Sequence, residues 1–374
     1  MSEVSVPPEG WAAALAGLPA MGPARLRAVL ATWAPVAAWA HMLAGTACSR
    51  PAVALACRPD PAGLAAHWRV AARRTSIVDV WEAHHRRGIT VSLPGGPGYP
   101  TELHLDTEPP AVLFSRGDPA ALEGRRVAIV GSRRCTRYGR DVAYELGRDL
   151  AAAGVRVVSG LALGVDGAAH RGALAAGAAP PVAVVGSGLD VVYPPAHSAL
   201  WEQVAGAGLL LSEAPLGARP EPWRFPVRNR VIAALAEVVV VVESSDKGGS
   251  RHTVEAAMAR DRLVMAVPGS VRSPVSSYTN GLLADGCHPV RDALDVLVAL
   301  GLSSAGGGAP VDRREAPGQE EAPVFDALGW EPATFDDLCA RTGRSPGQVS
   351  VGLARLQAGG WVAERAGWWE RITT

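Results

Sequence analysis

Arg126-Val-Ala-Ile-Val-Gly-Ser-Arg-Arg-Cys-Thr-Arg-Tyr-Gly139 is the stretch that decides the fold. Val127 to Val130 form an apolar, β-branched run suited to a strand buried on both faces of a parallel sheet. Gly131 ends the run where the backbone must turn sharply, and a helix is expected to open near Tyr138. Strand, glycine turn and helix N-terminus together form an anion-binding corner, with free amides and the positive dipole end facing one spot. Arg133, Arg134, Arg137 and Arg140 surround that corner. A phosphate site is therefore expected, though not the usual nucleotide one. Both Gly-x-Gly-x-x-Gly and the Gly-Lys-Ser/Thr of a P-loop are absent from the stretch.

Outward from this strand, apolar runs and helical patterns alternate. Further strands are expected at 155–158, 182–185, 209–211, 238–242 and 263–267, with helices at 142–153, 165–176, 198–205, 228–236 and 253–260. Such alternation implies right-handed crossovers and a mostly parallel sheet covered by helices on both faces. Ligands of such sheets bind outside the carboxyl ends of the strands. Those ends carry Gly131-Ser-Arg133, Ser159-Gly-Leu-Ala-Leu-Gly-Val-Asp-Gly-Ala-Ala-His170, Gly186-Ser-Gly-Leu-Asp190, Ser212-Glu213, a loop to Phe225-Pro-Val-Arg-Asn-Arg230, Glu243-Ser-Ser-Asp-Lys-Gly-Gly-Ser-Arg251, and Pro268-Gly-Ser270. Small residues, hydroxyls and arginines on one rim permit close approach of a sugar–phosphate backbone.

The flanks read differently. Residues 1 to 88 alternate Ala/Leu/Trp-rich segments with Pro and Gly breaks, a small helical domain. Its Leu18–Leu26 stretch resembles the hairpin of helix-hairpin-helix and sterile-alpha-motif modules, but an ordinary helix corner with Pro23 at the first helical position outweighs a phosphate contact. Residues 89 to 118 form a Pro/Gly-rich connector, 119 to 301 the sheet domain, and 302 to 321 a flexible linker. Residues 322 to 374 read as a winged helix: Thr334 with Asp337, and Ser345 with Gln348, mark two capped helices, and a hairpin turns at Ala366-Gly367. Arg355 is the only cation of its would-be recognition helix, so a protein contact or self-association weighs at least as much as duplex reading.

The chain has 374 residues, 48% of them apolar, and a formal net charge of zero. Nucleic-acid binding must then rest on local clusters rather than a global field. Lys247 is the only lysine. Five scattered cysteines without a Cys-x-x-Cys pair argue against a disulfide framework or structural zinc. With no signal pattern and no long charge-free apolar run, a cytoplasmic protein without a membrane span is expected. Asp166 and His170 lie four apart on one helix. A metal site there lacks supporting spacing, so Asp166 is read as a helix cap and His170 as hydrogen-bonded inside the rim.

The ordered set of rim motifs resembles the DNA-processing protein A (DprA/Smf) family. It is carried by Tyr99-Pro-x-x-Leu103, Pro109-Pro-x-x-Leu113-x-x-x-Gly117, Gly131-Ser-Arg133 with Tyr138-Gly139, Ser159-Gly-x-Ala-x-Gly164-x-Asp166 with His170, Phe225-Pro-x-Arg-Asn-Arg230, Lys247-x-Gly-Ser250 and Pro268-Gly269. One departure is Arg251-His-Thr-Val254, where the family's pattern is small and apolar. The resemblance implies an extended Rossmann-like fold with no nucleotide cofactor and no established catalysis. It also implies single-stranded DNA binding in a basic pocket, homodimerisation, and loading of the RecA recombinase. The residues then carry these expectations. Gly131, Ser132 and Gly160 offer backbone and hydroxyl contacts to phosphates; Arg133, Arg228 and Arg230 are bidentate phosphate donors. Phe225 stacks a base, Asn229 bonds a base edge or braces its loop, and Lys247 and Ser250 complete the rim. Against the phosphate role of Arg230 stands a structural ion pair, and against stacking by Phe225 stands core packing. The rival class is a Rossmann-like nucleotide N-glycosidase or phosphoribohydrolase, with Glu213 or Glu243 as its carboxylate.

Overall fold

A computed structural model of the chain describes residues 6–302, 316–329 and 332–372. They fall into two compact units, residues 1–305 and 306–374. The expected linker at 302–321 lies mostly on residues 303–315, outside the described residues.

The first unit opens with six helices, α1 (Pro8–Ala16), α2 (Pro23–Thr32), α3 (Pro35–Ala44), α4 (Pro51–Ala56), α5 (Pro61–Arg74) and α6 (Ile77–Arg86). Five of them start on a proline at the first turn, where the missing N–H is no loss. Their buried Leu15, Val29, Met42 and Trp68 belong to the same apolar core as Phe114, Ala183 and Trp201 of the following sheet layer. The arginines in and beside the Leu18–Leu26 hairpin are engaged within the unit. Arg25 donates to the carbonyls of Ala20 (2.7 Å) and Ala56 (3.2 Å), and Arg27 pairs with Glu108.

The sheet follows, with β1 (Thr90–Ser92), α7 (Thr101–His104), β2 (Leu113–Gly117), β3 (Arg126–Val130), α8 (Arg137–Ala152), β4 (Arg156–Ser159), α9 (Val165–Ala176), β5 (Val182–Val185) and α10 (Ser198–Ala207). It continues through β6 (Leu209–Ser212), α11 (Arg224–Leu235), β7 (Val238–Val241), α12 (Arg251–Met258), β8 (Leu263–Ala266), α13 (Ser277–Ala284), β9 (His288–Pro289) and α14 (Ala293–Ala299). The spatial order is β1-β2-β6-β5-β4-β3-β7-β8-β9. The β1–β2 and β2–β6 pairs are antiparallel and the rest parallel. This is the expected extended Rossmann-like sheet, and every residue of β3, β5, β6 and β7 is buried. The connector contributes β1 and β2, too short and too interrupted by Pro and Gly to be read as strands. From β3 the chain steps outward to β6, then returns to add β7 on the other side of β3. The switch point, where such sheets take ligands, lies between β3 and β7.

Two helices start earlier than the sequence pattern indicates. Thr136 caps α8, its hydroxyl accepting from the Gly139 amide, which moves the start to Arg137. Helix α11 starts at Arg224, because Pro226 is tolerated in a first turn. Phe225 to Arg230 is therefore helical rather than a loop, and residues two apart face different sides.

The second unit holds α15 (Ala322–Leu328), β10 (Ala333–Thr334), α16 (Phe335–Thr342), α17 (Pro346–Ala358), β11 (Val362–Arg365) and β12 (Trp368–Arg371). It packs Val324, Leu338, Val349, Leu353 and Val362 into one core. Both expected caps form: Asp337 returns a bond to the Thr334 amide (3.0 Å), and Gln348 one to Ser345 (3.1 Å). The β11–β12 hairpin turns through left-handed Ala366 and Gly367. Arg355 of α17 is bound by Glu320 and Glu321, both at 2.8 Å, which neutralises the only cation of that helix.

Candidate nucleic-acid interface

The corner expected to hold an anion is already filled from within. Glu243 follows β7 and is 2% exposed. Its carboxylate accepts from the Thr136 amide (2.8 Å) and hydroxyl (2.7 Å) at the start of α8. Gly139 is glycine because a Cβ there would collide with that carboxylate. The Ser132 amide donates to the Glu243 carbonyl at 2.7 Å, and the Ser132 hydroxyl accepts from Arg134 at 3.1 Å. Gly131 and Ser132 thus line the switch point but have no free amide–hydroxyl corner to offer a phosphate. A resident carboxylate on the dipole end satisfies the same electrostatics that an external phosphate would.

The open cleft lies instead over the ends of β4 and β5. It has a volume of about 90 Å³ and is lined by Arg133, Leu163, Gly186, Tyr193, Phe225 and Arg228, among others. Sites that enclose a small-molecule ligand run to about 300–1,000 Å³, so this one suits a phosphate or a base edge and not a whole nucleotide. Arg133 is exposed at its mouth, with its guanidinium carbon 4.7 Å from the centre of the Phe225 ring. Phe225 is half-buried and packs at 5.5 Å against Tyr193, itself 36% exposed. Among the described residues Arg133 has no carboxylate partner, so its charge is available to a ligand.

Arg228 is the cleft floor rather than a free phosphate donor. It is 6% exposed, and its Nη1 donates to the carbonyls of Gly160 (2.8 Å) and Val184, joining the ends of β4 and β5. Gly160 must be glycine because a Cβ would occupy the guanidinium's place. Its own amide donates to Asp166 at 3.1 Å, so it too offers no phosphate contact. Burial pushes the Arg228 guanidinium down to about 10, against the pull of the Asp166 charge; it stays cationic at neutral pH. Burial raises the Asp166 carboxyl, which Arg228 and the amides of Ala162 and Gly160 draw back down. Asp166 therefore shapes the upstream loop instead of capping α9.

Of the remaining expected residues, Arg230 points away from the cleft. It is bound by Glu213 and the Glu108 carbonyl, the structural ion pair that stood as its alternative. Asn229 braces the neighbouring loop through the Gly249 carbonyl (3.2 Å). Ser250 is buried and donates to Ser244 at 2.7 Å, while Lys247 is exposed on that loop. On a helix these side chains fan around the axis, so Phe225 and Arg228 reach the cleft and Arg230 does not. The carboxylates a hydrolase would require, Glu213 and Glu243, are both engaged. No group of His, Cys, Asp or Glu is placed to hold a metal among the described residues. Tyr193 was missed although Tyr-Pro-Pro follows Asp190 by three residues. The same holds for Trp223, 43% exposed, with the Arg224 guanidinium 4.5 Å from its ring.

Beneath the floor, His170 is fully buried, with the Ser159 backbone as its hydrogen-bonding neighbour and neither ring nitrogen in full hydrogen-bond geometry. Burial pushes its pKa down to about 3, despite an opposing pull from the Ser159 backbone. An unfolded chain protonates this imidazole below pH ~6.5, and the folded site does not until far lower. Stability is thus full above that value and falls as pH drops towards about 3, by up to ~1.4 kcal/mol per unit. Urea unfolding at about pH 7.5 and about pH 5.5 should show a loss smaller by ~1.4 kcal/mol in His170→Gln than in the wild type. Equal losses would mean that His170 is not held neutral.

A doubly wound sheet with its switch-point crevice filled by its own glutamate, and with an arginine–aromatic cleft beside it, defines an extended Rossmann-like protein. Its second unit is a winged helix. Residues 90–301 match the family model described as DNA recombination-mediator protein A, and residues 309–367 match the DprA winged helix domain. The chain belongs to this DprA family, whose members act in DNA processing. It is 36% identical over 222 residues to the DNA processing protein DprA of Bacillus subtilis, covering 59% of this chain and 74% of that one. The X-ray structure of DNA processing protein A from Streptococcus pneumoniae superposes with a TM-score of 0.64 at 30% identity, covering 79% of this chain and 98% of that one. A Helicobacter pylori DNA processing protein A structure, described for its single-stranded DNA binding mode, has a TM-score of 0.51 at 30% identity, over 56% and 95% of the chains. No helix among the described residues is long and apolar enough to cross a membrane.

Proposed function

We propose that this protein binds single-stranded DNA at the Arg133–Phe225 cleft. On this reading it acts without catalysis as a cytoplasmic recombination mediator, shielding incoming strands and loading a RecA recombinase onto them as a homodimer. The observation that carries the binding is the unpaired, exposed Arg133 over a half-buried aromatic pair. A phosphate at the guanidinium and a base against the rings use both features at once, and a paired duplex cannot offer an unstacked base. Phe225 and Tyr193 are the stacking residues, Arg133 the phosphate anchor, and Lys247 a flanking cation. The mediator role, the recombinase and the dimer rest on the family. The helical segment 1–88 and the winged helix serve as accessories to the sheet domain.

A salt-titrated binding assay with single- and double-stranded oligonucleotides tests this. Affinity should favour single strands and fall linearly in log–log form, by about 0.7 per phosphate neutralised. A chain ending at residue 305 should retain most of that affinity, since the cleft and its supports lie in the first unit. Equal or tighter binding of blunt duplex would count against the cleft as the site.

A further inference from the structure

Where α8 and α9 pack together beside the cleft, two arginines share the surface without an acid between them. Arg140 stands in the first turn of α8 and Arg171 in the second turn of α9, both exposed. The Arg140 Nη1 donates to the Cys135 carbonyl at 3.4 Å. Cys135 is two residues past Arg133, so that carbonyl lies within about 7 Å of chain from the cleft's anchor. Among the described residues neither Arg140 nor Arg171 pairs with a carboxylate, whereas Arg137, one turn before Arg140, is held by Asp141 at 3.2 Å. The two helices meet closely here: a Cβ on Gly172, the residue after Arg171, would collide with the Tyr144 carbonyl, one turn past Arg140, and burial followed by the Arg140 charge pushes the Arg171 pKa down. Neighbouring like charges repel, and an anion from outside the chain relieves that repulsion. Arg137 shows that the same helix turn can carry a neutralised arginine.

We propose that Arg140 and Arg171 form a second phosphate subsite for single-stranded DNA, outside the cleft and next along the backbone from Arg133. The proposal rests on the single-strand reading above. It deepens that reading in one respect: a strand that only fills the cleft does not reach this pair, and a longer strand does. The ligand is a phosphodiester backbone, engaged by charge and without base reading.

The test uses the full chain and two oligothymidylates, one of about 2 nucleotides, whose lone phosphodiester can fill only the cleft, and one of about 16, at the upper end of the usual single-strand site sizes. In the double variant Arg140→Gln with Arg171→Gln, the short strand should bind as to wild type. The long strand should lose affinity on the order of tenfold at about 0.1 M salt, and its log–log salt slope should become shallower by about 1.4, two contacts at ~0.7 each. Arg140→Lys with Arg171→Lys, which keeps both charges, should restore the slope. If the double glutamine variant melts early, Arg171→Gln alone should remove about 0.7 from the slope. An unchanged slope and affinity for the long strand in a folded variant overturns the subsite and leaves the cleft intact. Equal losses on both strands also overturn it, because the pair would then act through the cleft. Wild-type protein that binds neither strand removes the single-strand reading itself, and the subsite with it.

Discussion

Arg228→Ala should lower the stability of the first unit by ~3–5 kcal/mol, the loss seen when one partner of a buried charge pair is removed. Three consequences of the substitution act together. The Asp166 carboxylate stays buried and loses the charge that offsets its desolvation. The carbonyls of Gly160 and Val184 lose their donor, so the ends of β4 and β5 are no longer tied. A cavity opens under the cleft, lined on one side by the bare Gly160. Urea unfolding should register the whole effect, with single-strand binding falling in parallel because the cleft floor is gone. Combining Asp166→Asn with Arg228→Met should restore much of the stability, since replacing both charges removes the unpaired one. A single variant within ~1 kcal/mol of wild type would mean that water reaches this guanidinium and that it is not the floor.

Arg133→Ala should leave stability alone and remove binding. The side chain is exposed, so its loss exposes no buried partner and should lie within ~0.5 kcal/mol of neutral for folding. Loss of a hydrogen bond to a charged group amounts to ~1.5–3 kcal/mol, or about tenfold to over a hundredfold in affinity. Arg133→Lys should fall between, since an ammonium keeps the charge but not the planar stacking over Phe225. The two variants separate two kinds of arginine: at Arg228 stability and affinity fall together, while at Arg133 affinity falls alone. Unchanged affinity of a folded Arg133→Ala protein would place the strand elsewhere on the rim.

The plugged crevice bears on why this sheet carries no nucleotide fingerprint. In a doubly wound sheet the phosphate normally sits at the switch point, on the first helix N-terminus. Here Glu243 occupies that place at the start of α8, and the open site is displaced to the next strand pair. The glycines and hydroxyls that look like a phosphate loop therefore serve the protein itself: Gly131 and Ser132 lie against the Glu243 backbone carbonyl, and Gly160 against Arg228 and Asp166.

The amino-acid sequence by itself determined the alternation of strands and helices, the parallel sheet, the winged helix with both of its caps, and the rim that lines the open cleft. These follow from local periodicity, capping and turn chemistry, which act over a few residues. The place of Arg133 directly after the β3 turn was legible for the same reason, whereas Phe225 was read in a loop and only the structure set it in the first turn of α11. Which polar groups remain free was decided only in the tertiary structure. Arg228, Arg230, Ser132 and Gly160 all carry phosphate-binding chemistry, yet each is engaged by a residue distant in sequence or across a loop: Val184, Glu213, Glu243 and Asp166. The physical reason is that burial makes an unpaired polar group costly, so the fold satisfies such groups internally wherever they meet. Only those that packing leaves at the surface, with Arg133 foremost, keep their capacity for an outside ligand.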